Sequence, residues 1–86
     1  GNKNIFLDIK KFLINIDNES SSEIIQTEIY EIGKKYKFEN LREFFKLIYQ
    51  VLLGQEQGPR LGSFIKLYGI EKTIKLIDDV LIKNKL

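Results

Sequence analysis

The one glycine-rich polar stretch of this 86-residue chain, residues 54–64, carries side chains of types that can bind anions or read unpaired bases. It contains two amides, Gln55 and Gln57, and one guanidinium, Arg60. A planar guanidinium with five N–H donors suits a phosphate or a base edge. Glutamine amides can hydrogen-bond to the Watson–Crick edge of an unstacked base. The stretch therefore predicts recognition of an anion or of single-stranded RNA. The alternative is a solvated loop in which Arg60 pairs with Glu56.

Helix-boundary signals flank this stretch. Gly54 predicts a left-handed residue that closes the preceding helix, and Pro59 predicts the first position of the next one. Arg60 would then lie in the first turn, where the helix dipole disfavours a cation, so we expect it to have an external partner, most simply an anion. Gly62 within the helical pattern predicts a close backbone approach, to a neighbouring helix in the first place or to RNA.

Aromatic and basic side chains outside the stretch extend the candidate site. Tyr49 and Tyr68 are expected at the rim of the core, where a ring could stack on a base. Lys66, Lys72 and Lys75 surround the turn before the last helix and could follow phosphates, although a solvated face is the usual fate of lysine. The candidate RNA-binding residues are Tyr49, Gln55, Gln57, Arg60, Lys66 and Lys72.

Composition excludes several kinds of catalytic or metal site. The chain has no cysteine and no histidine, so it cannot form a disulfide, a thiolate metal site or a Ser-His-Asp triad. Ser63 has no neighbour in the sequence that would activate it, and Asp78 and Asp79 are expected to be an exposed pair. We therefore predict no catalytic residue, no metal ligand and no cofactor in this chain.

Length and charge indicate a small domain of a larger RNA-binding protein. Residues 1–86 suffice for a single helical domain, and 43% hydrophobic with 30% charged residues is typical of globular chains. Residue 1 is glycine rather than methionine, so we expect a longer parent. Residues 1–40 carry six basic against seven acidic side chains, and residues 41–86 carry eight against five. The basic excess lies in the half with the polar stretch.

No run approaches the roughly 20 apolar residues of a membrane span, and the first residues do not resemble a signal peptide. We therefore expect a cytoplasmic protein with no membrane contact.

Apolar spacing predicts an all-α fold, a compact bundle of about five short helices. The helices are expected near residues 4–16, 24–32, 41–53, 59–68 and 71–83. Ser20 with Glu23, and Asn40 with Glu43, have the capping-box spacing. The third helix is apolar over most of its circumference, which predicts a position in the middle of the bundle. Phe44, Phe45 and Phe64 are predicted to lie in the core.

The sequence of residues 47–64, followed by Leu67-Tyr68-Gly69, resembles the C-terminal end of class I lysyl-tRNA synthetases. The string Gly-Pro-Arg-Leu-Gly-Ser-Phe at residues 58–64 is its most specific part. The resemblance covers about residues 41–82, and the residues before 41 carry no string of that family.

This resemblance implies a helical cage that docks the anticodon of lysine tRNA. Members of the family join lysine to its tRNA with ATP, and with Mg²⁺, in a separate catalytic domain whose "HIGH" and "KMSKS" signatures do not occur here. The implied partners are lysine tRNA and the catalytic domain of the same parent chain, with this portion itself monomeric. Because the lysine anticodon is rich in uridine, contacts to uracil edges and stacking are expected.

Three other functions are compatible with parts of the sequence. Glutamyl-tRNA synthetases are related in this region. A protein–protein adaptor would dock through the third helix or the Gly58–Pro59 turn and would expose an apolar patch. A helix-turn-helix DNA reader is less favoured, because Asp78 and Asp79 on the last helix would repel the major groove.

Overall fold

Five α-helices account for most of residues 2–83, the part of the chain that the computed structural model describes. No strand occurs in that range. The helices are α1 (Lys3–Asn15), α2 (Ser22–Lys34), α3 (Leu41–Leu53), α4 (Leu61–Tyr68) and α5 (Ile70–Ile82). The prediction of an all-α bundle of about five short helices is confirmed. None of these helices is long and apolar enough to cross a membrane.

Each helix contributes one apolar face to a shared core. α2 packs most extensively on α4, and α1 on α5, while α3 contacts both α2 and α5. Burial of these side chains supplies the main favourable free energy of folding. The buried hydrophobic residues are Ile5, Phe6, Ile9, Leu13, Ile25, Ile29, Ile32, Phe44, Ile48, Leu52, Leu61, Ile65, Ile77 and Val80.

α3 is not enclosed on all sides, in contrast to the prediction from its apolar sequence. It buries Phe44, Ile48 and Leu52, whereas Arg42 and Gln50 are exposed. Its remaining large apolar residues are only half-buried at the edge of the core. The exposed side of α3 is therefore available for contacts outside the bundle.

Two of the three phenylalanines predicted for the core are only half-buried. Phe44 is fully buried, but Phe45 and Phe64 keep part of their rings at the surface. Phe64 stacks on Tyr68 with the ring centroids 5.1 Å apart. Helical spacing assigned both side chains to the apolar face, and each lies at the edge of that face.

α2 begins one residue later than the capping pattern predicts. The Ser21 hydroxyl accepts a hydrogen bond from the Ile24 N–H at 3.2 Å, so Ser21 is the N-cap. The Ser20 N–H donates to the Asp17 carbonyl at 2.9 Å, which places Ser20 in the preceding turn. The predicted Ser20–Glu23 capping box is therefore wrong, because Ser20 belongs to the turn that precedes the helix and Ser21 caps it.

The ends of α3 follow the sequence signals. The Asn40 side chain accepts from the Glu43 N–H at 3.0 Å, which confirms Asn40 as the N-cap. Gly54 has φ +69°, the left-handed conformation predicted for the residue that closes this helix. The polar loop that follows α3 therefore starts at Gly54.

Candidate nucleic-acid interface

The loop between α3 and α4, residues 54–60, is exposed along its whole length and tied back to α3. The Tyr49 hydroxyl donates to the Pro59 carbonyl at 2.8 Å. The Gln55 N–H donates to the Tyr49 carbonyl at 3.4 Å, a long hydrogen bond. Gln55 and Gln57 therefore project from a loop whose two ends are both anchored to one turn of α3.

Tyr49 is half-buried at the rim of the core, as predicted. Burial raises the pKa of its hydroxyl, and a backbone hydrogen bond from Leu61 offsets only part of that effect. A Cβ at Gly58 would lie 3.2 Å from the Tyr49 ring, so the loop backbone passes close over it. The ring and the hydroxyl of Tyr49 thus both serve to hold the loop.

α4 starts at Leu61, two residues later than the prediction from Pro59. Arg60 is its N-cap, with φ −52° and ψ 130°, and the Arg60 carbonyl accepts from the Phe64 N–H at 2.9 Å. Leu61 is buried and Gly62 packs against α2, so contacts between helices fix the register of this start. Arg60 consequently does not lie in the first turn, where its charge would have been unfavourable.

Arg60 has a partner within the chain that the sequence did not predict. Its guanidinium lies 2.8 Å from the Glu23 carboxylate in the first turn of α2. Both side chains are more than half exposed, at 56% and 66%. Glu56, the partner considered from the sequence, lies instead 4.0 Å from Lys46. Contact between Arg60 and RNA stays a prediction, and any phosphate would have to compete with Glu23.

Gly62 permits the close approach of α4 to α2 that its position in the helical pattern predicts. Its N–H donates to the Gln26 side-chain oxygen at 2.7 Å. A Cβ at this position would collide with the Ser22 carbonyl and come within 2.9 Å of the Gln26 nitrogen. The partner of Gly62 is therefore a neighbouring helix, the first of the two possibilities.

Two of the predicted site residues share a groove beside the loop, which we call the α3 groove. Its volume is about 550 Å³. Tyr49 and Gln57 lie in it together, with Glu56 from the loop and a row of side chains from α3. The residues that define it are Arg42, Glu43, Phe45, Lys46, Tyr49, Glu56, Gln57 and Gly58.

The two predicted lysines lie in a different groove, at the turn between α4 and α5, which we call the α4–α5 groove. Lys66 and Lys72 line it with Tyr68, and its volume is about 330 Å³. The Lys66 ammonium donates to the Asn18 carbonyl at 3.1 Å, and the Lys72 nitrogen lies 5.9 Å from the Tyr68 ring centroid. Both cations are thus held near the turn, while Lys75 is exposed further along α5.

Arg60 lies in a third groove, of about 500 Å³, between α2 and α3, which we call the Arg60 groove. Tyr30 and Lys34 of α2 and Phe45 of α3 line it. Phe45 belongs to both the Arg60 groove and the α3 groove, so these two adjoin. The predicted residues therefore form one continuous surface around the loop and a separate pair at the α4–α5 turn.

Only Tyr49 and Gln57 among the residues that line the α3 groove belong to the predicted site, and the α3 residues missing from it are Arg42, Glu43, Phe45 and Lys46. Their spacing carried a usable signal, because Arg42 and Lys46, like Phe45 and Tyr49, are four apart and share a helix face. The strongly apolar pattern of α3 indicated a core helix instead, so these residues were not predicted as part of a site. Among residues 2–83, no group of three or more acidic side chains that could hold a metal ion occurs.

The chain is similar to segments of proteins named lysine–tRNA ligase. It is 54% identical over 80 residues to that of Rickettsia prowazekii, covering 93% of this chain and 15% of the relative. It is 54% identical over 76 residues to that of Rickettsia felis, covering 88% and 14%, and 53% over 79 residues to that of Rickettsia bellii, covering 92% and 15%. The chain thus spans about 15% of the length of these curated relatives.

The similarity extends beyond the part that carries the sequence resemblance. Only 46 residues follow position 40, so a match of 80 residues must include much of α1 and α2. The residues before 41, which carry no string of the class I family, are therefore also similar to these relatives. No family model matches the chain, and no solved structure matches it significantly.

Proposed function

We propose that this chain is the C-terminal anticodon-binding portion of a class I lysine–tRNA ligase. The observation that carries the proposal is the 54% identity to a lysine–tRNA ligase over 93% of the chain. The relatives' name also favours the lysine enzyme over the glutamyl enzyme. The assignment to class I and the role in anticodon binding rest on the resemblance of residues 47–64 to that family.

The anchored loop supports a role in reading bases. Gln55 and Gln57 are exposed on it, and the Tyr49–Pro59 hydrogen bond limits the conformations it can adopt. A loop held in place before binding loses less conformational entropy when a base is bound. Splayed anticodon bases present the edges that such amides recognise. The loop would thus contact the uridine-rich anticodon directly.

The cations around the loop support contacts to the RNA backbone. Arg60 lies at the end of the loop, and Lys66 and Lys72 line the α4–α5 groove. Lysine contacts to phosphate add affinity that falls with salt but carry no sequence information. Lys66 and Lys72 would therefore position the stem, while the loop supplies the specificity.

In the proposed parent, lysine, ATP and Mg²⁺ bind to a separate catalytic domain, and this portion contributes recognition. Holding the anticodon in place would direct the distant acceptor end of the tRNA to that domain. The two partners of the chain are then lysine tRNA and the catalytic domain.

A protein–protein adaptor is the second candidate. Leu67 is 91% exposed and Ile82 is 80% exposed, and a docking role would require such side chains to form one contiguous apolar patch. Of the two docking surfaces proposed from the sequence, the centre of the apolar face of α3 is buried in the core, whereas the Gly58–Pro59 turn is exposed. An adaptor would therefore use that turn or the exposed apolar residues of α4 and α5.

The test compares two RNA hairpins of the same stem. One carries the lysine anticodon loop, and in the other only the anticodon bases are replaced. Affinities are measured at low and moderate salt, for this chain and for the longer parent. We expect tighter binding of the lysine hairpin, with a preference that persists as salt rises. Equal affinity for both hairpins in the longer parent would overturn the proposal.

A further inference from the structure

Phe45 occupies the boundary between two grooves on the surface next to the loop. Its half-buried side chain lines both the α3 groove and the Arg60 groove. It packs on the fully buried Phe44 with the centroids 5.2 Å apart and the ring planes at 75°. An edge-to-face contact of this kind fixes a ring in place. Phe45 is therefore a positioned aromatic at the surface of the bundle.

Cations lie on both sides of this ring, together with the carboxylates of Glu43 and Glu56 in the α3 groove and of Glu31 in the Arg60 groove. Arg42 and Lys46 line the α3 groove, and Arg60 lines the other. Within residues 2–83, no carboxylate lies within salt-bridge distance of Arg42. Lys46 has only the Glu56 carboxylate at 4.0 Å, and Glu56 is 68% exposed. Exposed pairs of this type contribute little free energy, so a phosphate can replace Glu56 on Lys46.

An aromatic ring between cations has the chemistry that binds one nucleotide of single-stranded RNA. Bases stack on aromatic side chains whatever their sequence, and the flanking phosphates pair with lysine and arginine. An acidic peptide would use the cations but would gain little from the ring. Tyr49 is the less suitable platform, because its hydroxyl is bonded to Pro59 and the Gly58 backbone passes close to its ring.

We propose that Phe45 is the stacking platform for an unpaired RNA base and that Arg42 and Lys46 bind the adjoining phosphate. The inference deepens the proposed function and rests on it for the identity of the RNA. It adds three residues to the interface and assigns Tyr49 to holding the loop. Gln57 lines the same groove and would supply an amide for the edge of the stacked base.

The test uses Phe45→Leu with Phe38→Leu as its matched control. Phe38 also packs edge-on against Phe44, at 5.5 Å, and is half-buried, but it lines neither of the two grooves. The RNA ligands are the lysine anticodon hairpin and an unstructured oligouridine. Thermal unfolding of both variants shows whether each keeps the fold.

We expect Phe45→Leu to weaken binding of both RNAs by at least about fivefold, with the salt dependence unchanged. Phe38→Leu should bind like the unsubstituted chain. The double variant Arg42→Gln with Lys46→Gln should lower the slope of log affinity against log salt by about 0.7 for each phosphate that the variant no longer neutralises.

The outcomes separate this inference from the function on which it rests. If Phe45→Leu and Phe38→Leu bind equally while the unsubstituted chain still prefers the lysine hairpin to the anticodon-replaced one, the stacking inference fails and the anticodon function stands. If Phe45→Leu weakens both RNAs but the two hairpins bind equally, the nucleotide site stands and the anticodon function fails. If neither RNA binds to the chain or to its longer parent, both fail.

Discussion

The Arg60 guanidinium lies 2.8 Å from the Glu23 carboxylate, joining the end of the α3–α4 loop to the first turn of α2. The carboxylate is also well placed for the positive end of the α2 dipole. The pair therefore orients the arginine proposed for RNA contact, and it sets up competition between a carboxylate and an incoming phosphate.

Removing that competition should strengthen RNA binding. Glu23→Gln is expected to raise affinity for the lysine hairpin by up to about fivefold, the factor that corresponds to an exposed ion pair of about 1 kcal/mol. The free energy of unfolding should change by less than about 1 kcal/mol for the same reason. Affinity is measured by fluorescence anisotropy and stability by urea denaturation.

Glu28→Gln is the matched control, because it removes the same charge from an exposed site of α2 that lines a different groove. Equal gains from Glu28→Gln and Glu23→Gln would mean that only net charge matters and would contradict the competition at Arg60.

Gly62→Ala should destabilise the bundle by about 2 kcal/mol, a typical cost of overpacking. The added methyl group meets the Ser22 carbonyl and the Gln26 backbone, neither of which is a flexible side-chain end. Ser63→Ala, at the exposed neighbouring position, should leave the free energy of unfolding nearly unchanged. Equal stability of the two variants in denaturant would show that α4 does not pack on α2 at this distance.

Tyr49→Phe should loosen the loop without unfolding the core. It removes the 2.8 Å hydrogen bond to Pro59, whose loss typically costs about 1 kcal/mol. Amide hydrogen exchange of residues 55–58 and 60 should speed up, while exchange in α1 and α5 stays unchanged. Tyr68→Phe, at a tyrosine that is 42% exposed, is the control. If amide hydrogen exchange in the loop is unchanged in Tyr49→Phe, Tyr49 does not anchor the loop.

Stability should fall in alkaline solution as Tyr36 ionises. Partial burial, the hydrogen bond to Asp8 and the charge of that carboxylate raise the pKa of Tyr36 to about 12, from the usual value of about 10. A folded-state pKa above the unfolded one means that the contribution is complete below about pH 10 and is lost as pH rises to about 12. Tyrosinate absorbance should therefore show a group that titrates near pH 12 and that Tyr36→Phe removes. An unchanged titration near pH 12 in Tyr36→Phe would contradict the Asp8 contact.

The fold was largely predictable because helical periodicity and end signals are local. Asn40 and Gly54 act at the two ends of α3 as their residue types predict. The start of α4 was not predictable from Pro59, because the packing of Leu61 and Gly62 decides it. Tertiary contacts between distant parts of the chain cannot be predicted from a short segment of sequence.

In the candidate site, too, local contacts could be predicted from the sequence and long-range contacts could not. Gln57 and Tyr49 lie together because they border one short loop, which local sequence can show. Arg60 contacts Glu23, which lies 37 positions away in the chain, and local sequence cannot show such a contact. Phe45 was assigned to the core by its spacing, since a pattern of apolar residues does not tell the centre of a helix face from its edge.

The most direct test of the anticodon proposal is a titration of the isotope-labelled chain with the lysine anticodon hairpin, followed by backbone amide shifts in NMR spectra. We expect the shifts to cluster on residues 55–60 and on the α3 residues that line the adjoining groove. Arg60→Ala should weaken them, and the anticodon-replaced hairpin should produce smaller ones. Shifts confined to the α4–α5 side near Leu67 and Ile82, or none in the longer parent, would contradict the account.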